Sequence, residues 1–148
     1  MTGLVPEPGG RVAIIGDVGG HVGARRAELV RLGVPNDGDG PIPPGLCIVQ
    51  VGDLVHRGPG SPGVVALVDR QLRQSPGRWI QLVGNHEAHY LRRKQFSWHE
   101  RMPRGTVAIL RRWWAGGQMR PAVAIPTDPA DLLGCPPGPT PGFWRGGL

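Results

Sequence analysis

Residues 79–87 read Trp-Ile-Gln-Leu-Val-Gly-Asn-His-Glu. A short, mostly apolar run closed by glycine is the pattern of a buried strand in a parallel sheet. The spacing predicts a strand over Trp79–Val83 and a helix beginning near His86. The same construction stands twice upstream, as Val12-Ala13-Ile14-Ile15-Gly16-Asp17 and as Cys47-Ile48-Val49-Gln50-Val51-Gly52-Asp53. These give strands over Arg11–Ile15 and Leu46–Val51. Between the first two, Val22–Leu32 carries Val22, Arg26, Leu29, Val30 and Gly33 at helical spacing, with Gly33 placed to end the helix. Asn36 to Gly45 is turn material. Ser61-Pro62 then has the form of an N-cap followed by proline in the first helical position, ahead of a face of Val65, Val68 and Leu72. Strand, helix, strand, helix, strand is the order of an α/β fold with right-handed crossovers and parallel strands.

Beyond Arg101 the pattern weakens. Thr106–Trp114 reads as a helix, and Pro121–Ile125 and Asp131–Cys135 as short strands. From Pro121 onward prolines and glycines are dense, and a mostly irregular tail is expected. The chain of 148 residues is enough for one domain, with a core over 11–120 and a Pro/Gly-rich tail over 121–148. Glycine (25) and proline (17) make up more than a quarter of it, a level at which disorder must be weighed, but the compact apolar runs argue for a folded core. No run approaches the roughly 18 residues of a membrane span, and Met1–Glu7 lacks the basic and apolar blocks of a secretory signal. Two cysteines, Cys47 and Cys135, make no disulfide framework, and a reducing cytoplasm is the expected compartment. The net charge is +6, and the bases concentrate between Arg70 and Arg120, where Glu87 and Glu100 are the acids. Such a stretch suits an anionic partner or a solvated arginine-rich surface.

The three strand ends carry the chemistry. Each places a glycine and then an oxygen-bearing side chain (Asp17, Asp53, Asn85) at the carboxyl edge of the sheet, where ligands bind in open α/β folds. Neighbouring strands are about 5 Å apart, so the three side chains converge on one small region. Any one such step is ordinary turn and N-cap chemistry. Repeated three times, with His21, His56, His86 and His89 close by, the pattern points to a metal or phosphoester site. Paired carboxylates need a counter-charge, which a divalent cation supplies through hard oxygen ligands. Arg57, beside Gly58-Pro59-Gly60, is placed to grip phosphate with its guanidinium fork.

These residues resemble the calcineurin-like metallophosphoesterases. Gly52-Asp53-Leu54-Val55-His56-Arg57-Gly58 is similar to their GDxVDRG box, Gly84-Asn85-His86-Glu87 reproduces GNHE, and Gly16-Asp17-Val18-Gly19-Gly20-His21 resembles an altered GDxHG box. The likeness spans about Val12 to Tyr90 and is nearest the branch of serine/threonine phosphatases and dinucleoside-polyphosphate hydrolases. It implies a partial metallophosphoesterase core of β-α-β-α-β type. It also implies two divalent ions (Mn, Fe or Zn), with Asp17 on the first, Asp53 bridging and Asn85 on the second. His86 would contact or protonate the phosphoester, and Arg57 would hold phosphate oxygens together with Asn85 and His86. Two such ions activate a hydroxide for in-line attack.

The departures from the pattern are as specific as the matches. Gly19 stands where the first box has its histidine, with His21 two residues on. His56 replaces the aspartate that orients the GNHE histidine in the family. No histidine follows His99, and Pro136 stands where a further ligand belongs. The expectation is therefore a shortened or degenerate cytoplasmic metallophosphoesterase acting on a phosphorylated substrate. The alternative is a phosphate-binding domain without turnover, and a weaker one is nucleic-acid binding through the Arg70–Arg120 stretch with Trp98, Trp113 and Trp114.

Overall fold

The computed structural model describes residues 9–91, 99–126 and 132–134. Strands β1 (Arg11–Ile15), β2 (Leu46–Gln50) and β3 (Trp79–Leu82) alternate with helices α1 (Val22–Arg31) and α2 (Ser61–Gln74). Then come α3 (Asn85–Leu91), α4 (Arg104–Ala115), β4 (Met119–Arg120), β5 (Val123–Ile125) and β6 (Leu132–Gly134). Strands β1 to β4 form one sheet in that order, every neighbouring pair parallel. The α/β class and the parallel sheet are as the strand-end pattern predicts. The register sets Ile14 beside Val49 and Val49 beside Ile80, with Gln50 beside Gln81. The carboxyl ends of β1, β2 and β3 therefore lie at one edge.

Pleating sends alternate residues to opposite faces. One face (Ile15, Leu46, Ile48, Trp79, Val83) packs under the helices with Leu29, Val64, Val68, Leu110 and Trp113. The other (Cys47, Val49, Ile80, Leu82) is covered by Val123 and Ile125, because β5 and β6 pair as a small antiparallel sheet. Strand β4 lay in no expected element. At two residues it has no periodicity to read, and it is made by pairing with Gln81 and Leu82. Asp131, Cys135 and the tail from 135 to 148 lie outside the described residues.

Helix α1 is rotated from its expected face. It buries Arg25 and Leu29 (one turn apart) and leaves Val30 48% exposed. The Arg25 guanidinium sits 4.9 Å over the Trp79 ring, so a cation–π contact takes the place of an apolar side chain. Helix α4 is anchored by Trp113, fully buried, whose Nε1 donates to Asp69 Oδ1 at 2.8 Å. Arg73 and Arg112 pair with the same carboxylate. Trp113 is thus a core residue that ties α4 to α2 and is withdrawn from any stacking on bases, while Trp98 lies outside the described residues. No helix among the described residues is long and apolar enough to cross a membrane.

Candidate active site

Two loops are sewn together at the carboxyl edge of the sheet. Val18 N and Gly19 N both donate to Asp53 O at 3.0 Å, Gly20 N to Leu54 O at 2.8 Å, and Gly60 N to Gly20 O at 2.9 Å. Gln50 Nε2 bridges the exits of β1 and β2, donating to Gly16 O (2.8 Å) and Gly52 O (2.9 Å). The approach is close enough that a Cβ at Gly20 would lie 2.8 Å from Gly58 O. The altered first box sits within this packing. Gly19, at φ +52, runs against the backbone of His56, and His21 N-caps α1 by position with its ring against Gly58.

Glu87 joins the second loop to the third. Fully buried, its carboxylate accepts from Asp53 N (2.8 Å), Leu54 N (2.8 Å) and Gly84 N (2.9 Å). Burial first, and then the neighbouring Asp53 carboxylate, push its pKa up to about 7; the three N–H donors pull the other way and do not overcome this. Asp53 is held at φ +51, and its Oδ1 accepts from His86 N at 3.1 Å. The β2 and β3 boxes therefore meet at the Asp53 carboxylate, which brings together two of the three strand-end residues expected to converge.

Asn85 turns one edge of its carboxamide to Asp53, 3.0 and 3.2 Å from the two carboxylate oxygens. With the amide nitrogen on that edge, the contact is a pair of N–H···O bonds. With the amide oxygen there, three oxygens face one another, and only a cation among them relieves the repulsion. An exposed amide oxygen beside a buried carboxylate is a hard-oxygen donor set, which fits one divalent ion. Around that pair the other expected residues are differently placed. Asp17 is exposed and faces the exposed Arg57, Nη1 to Oδ2 3.8 Å. His21 is exposed, and His86 is buried beneath the surface at 1% exposure. Among the described residues no group of three or more His, Cys, Asp or Glu side chains is arranged to hold a metal ion.

His86 Nδ1 lies 2.7 Å from Val55 O, which as an acceptor fixes a proton on Nδ1. His56 is fully buried beside it, ring centroids 5.1 Å apart. Burial first, then His86, His89 and Arg57, hold its pKa down to about 4. Because the folded-state value lies below the ordinary 6.5, folding favours neutral His56. The resulting stability is present above pH 6.5 and is lost as the pH falls from there towards 4. His56 therefore works against the urea midpoint of the metal-free protein between pH 7 and pH 5, and His56→Gln is expected to gain on the parent as the pH falls over that range. A constant difference between the two proteins would assign the acid sensitivity to other groups.

Sequence reading passed over Gln50, the bonding of Glu87, and Tyr90. The signal for Gln50 was a polar residue inside an apolar run, two places before the Gly-Asp step. Gln81 repeats it at nearly the same offset before Gly84-Asn85.

The model of the calcineurin-like phosphoesterase family matches residues 10–125, and the chain belongs to that family. No curated protein matches the chain. Among solved structures, the crystal structure of a proposed diadenosine tetraphosphatase is similar at 28% identity with a TM-score of 0.49, the alignment covering 82% of this chain and 48% of that one. The chain thus spans about half the length of that structure.

Proposed function

We propose that this chain is a divalent-metal-dependent phosphoesterase that hydrolyses phosphate mono- or diesters. The observation that carries the reading is the junction at Asp53, where the buried carboxylate meets the Asn85 amide and the His86 backbone. Asp53 and Asn85 would hold an ion, with Asp17 and His21 as further donors from the first loop. A divalent ion there supplies Lewis-acid charge to the phosphate and acidifies the attacking water. The chain's own part begins with Arg57, whose exposed fork binds phosphate oxygens and is biased towards the site by Asp17. The Asn85 amide, also exposed, is a second contact for the same oxygens. His86, with its Nδ1 proton committed to Val55 O, has Nε2 to hold or deliver a proton at the leaving oxygen. The substrate is a phosphoprotein or nucleotide-type phosphoester. Two ions of Mn, Fe or Zn are the family pattern we extend to this chain, and the cytoplasm is the compartment we propose.

A second reading is a domain that binds phosphate ligands without turning them over. It is favoured by the absence of a three-member His, Cys, Asp or Glu cluster among the described residues. Elemental analysis of purified, dialysed protein beside Asp53→Asn separates the two. Two ions per chain, lost in the variant along with at least about 100-fold of its turnover of aryl phosphates, support the enzyme. One ion with phosphate binding but no turnover supports the binding domain. A folded protein with neither metal nor phosphate affinity overturns both.

A further inference from the structure

His86 and Tyr90 stand four residues apart on α3, so both side chains lie on one face of the helix. The ring of His56, from the loop after β2, stands between them. Its centroid is 5.1 Å from that of His86 and 5.5 Å from that of Tyr90, and its Nε2 is 2.5 Å from Tyr90 Oη. His89 closes the group edge-on at 6.4 Å. The backbone behind His56 is equally determined. His56 and Arg57 both adopt left-handed conformations, φ +71 and +68, rare for residues with a side chain. His56 N donates to Ser61 Oγ at 3.0 Å. This turn also presents Val55 O to His86 Nδ1. Left-handed backbone at two successive non-glycine residues persists only where the surroundings impose it, and such sites cluster where side chains must be aimed.

We propose that Tyr90 and His56 form a positioning pair for His86: the Tyr90 hydroxyl donates to His56 Nε2 and fixes that ring, which holds the His86 ring with its Nδ1 proton on Val55 O. Neutral imidazole is the natural acceptor for a phenol, since a hydroxyl donor and a bare ring nitrogen match in one short bond. A ring wedged between residues i and i+4 of a helix also resists rotation of both neighbours by packing alone. The consequence for function rests on the phosphoesterase reading above. A His86 ring held in one orientation meets a phosphate ligand with the same edge in every molecule.

The test is long-range proton–nitrogen correlation of the histidine rings in the metal-free, full-length chain, on wild type and Tyr90→Phe. In the wild type, both His86 and His56 are expected as single Nδ1–H tautomers. In Tyr90→Phe, His56 is expected to become a tautomer mixture and the His86 ring signals to shift or broaden, while the amide signals of β1 to β3 stay in place. With Mn²⁺ and p-nitrophenyl phosphate, kcat is expected to fall about tenfold and KM to change less than twofold. His56→Gln is the second variant, since its side-chain oxygen still accepts from Tyr90 while the ring is gone; it too is expected to cost His86 its single tautomer. His86 found as Nε2–H in the wild type overturns the proposal. So does a His86 spectrum unchanged in either variant. A wild-type protein that hydrolyses nothing with Mn, Fe or Zn fails the phosphoesterase reading instead, and the ring nitrogens still decide whether the pair exists.

Discussion

Glu87→Ala is expected to lower the unfolding free energy by about 3–5 kcal/mol, which is much of the 5–15 kcal/mol that ordinarily holds a domain folded. The carboxylate is the common acceptor for Asp53 N, Leu54 N and Gly84 N, and all three lie where water does not reach. Alanine leaves the three donors unsatisfied at about 1–3 kcal/mol each, with less than full additivity because they share one site. Glu87→Gln keeps the shape and one acceptor oxygen but turns N–H groups towards backbone N–H groups, so an intermediate loss is expected. The two variants also differ in pH response from the parent. The folded-state pKa of Glu87 is raised to about 7 from 4.5, so folding favours the protonated acid. Its contribution is fully present below pH 4.5 and is lost as the pH rises through 7, a span of about 3 kcal/mol. Urea titrations of metal-free protein from pH 4.5 to 8 check this. Glu87→Gln is expected to gain on the parent as the pH rises from 4.5 to 8, and a constant difference between the two would place the titrating group elsewhere.

The central fold was legible because its signals are local. Three apolar runs, each ended by glycine and an oxygen-bearing side chain, specify three buried parallel strands, and β1 matches the expected Arg11–Ile15 throughout. Strands β2 and β3 stop one residue earlier than read, at Gln50 and Leu82, where the chain turns out of the sheet into the site. What escaped reading was set by tertiary contact. Arg25 reads as a solvent-facing base until Trp79 lies beneath it, and the two residues of β4 exist only as partners of β3.

The site divides in the same way. Asp53, Asn85 and His86 were legible as a motif, and the structure joins them. Their support was not, since a glutamate that accepts three backbone protons looks in sequence like any charged residue early in a helix. The substitution at Gly19 is intelligible only in three dimensions. The first loop lies so tightly on the second that a Cβ at Gly20 would fall 2.8 Å from Gly58 O, while at Gly19 the left-handed backbone, φ +52, is what disfavours a side chain. His56, in turn, brings a neutral ring to a place where the family pattern puts a charge, and Tyr90 of α3 lies against its Nε2.

Gly84→Ala is expected to be as damaging as the loss of Glu87, for a steric reason. A Cβ on Gly84 would fall 2.1 Å from Asp53 Oδ1 and 2.3 Å from Asp53 N, where atoms that are not bonded do not approach within about 3 Å. The neighbour is the left-handed Asp53 backbone, and Glu87 Oε2 ties Asp53 N and Gly84 N to one point, so it cannot yield without releasing the junction. The reciprocal contact is as close, since a Cβ on Gly52 would lie 2.3 Å from Gly84 N. The glycines of the second and third boxes are thus face to face. Overpacking usually costs about 1–3 kcal/mol, and a clash with fixed backbone belongs at or beyond the top of that range. Gly84→Ala is expected to lower the urea midpoint by at least as much as Glu87→Ala's lower bound and to displace the His86 amide resonance, whose acceptor is Asp53 Oδ1. Gly105→Ala in α4 is the control, because nothing lies within 4 Å of a Cβ there and the backbone is helical. It is expected to cost no stability and to gain a few tenths of a kcal/mol from helix propensity. Equal tolerance at Gly84 and Gly105 would mean that the two strand ends do not meet as closely as their glycines allow, and with that the site would lose its floor.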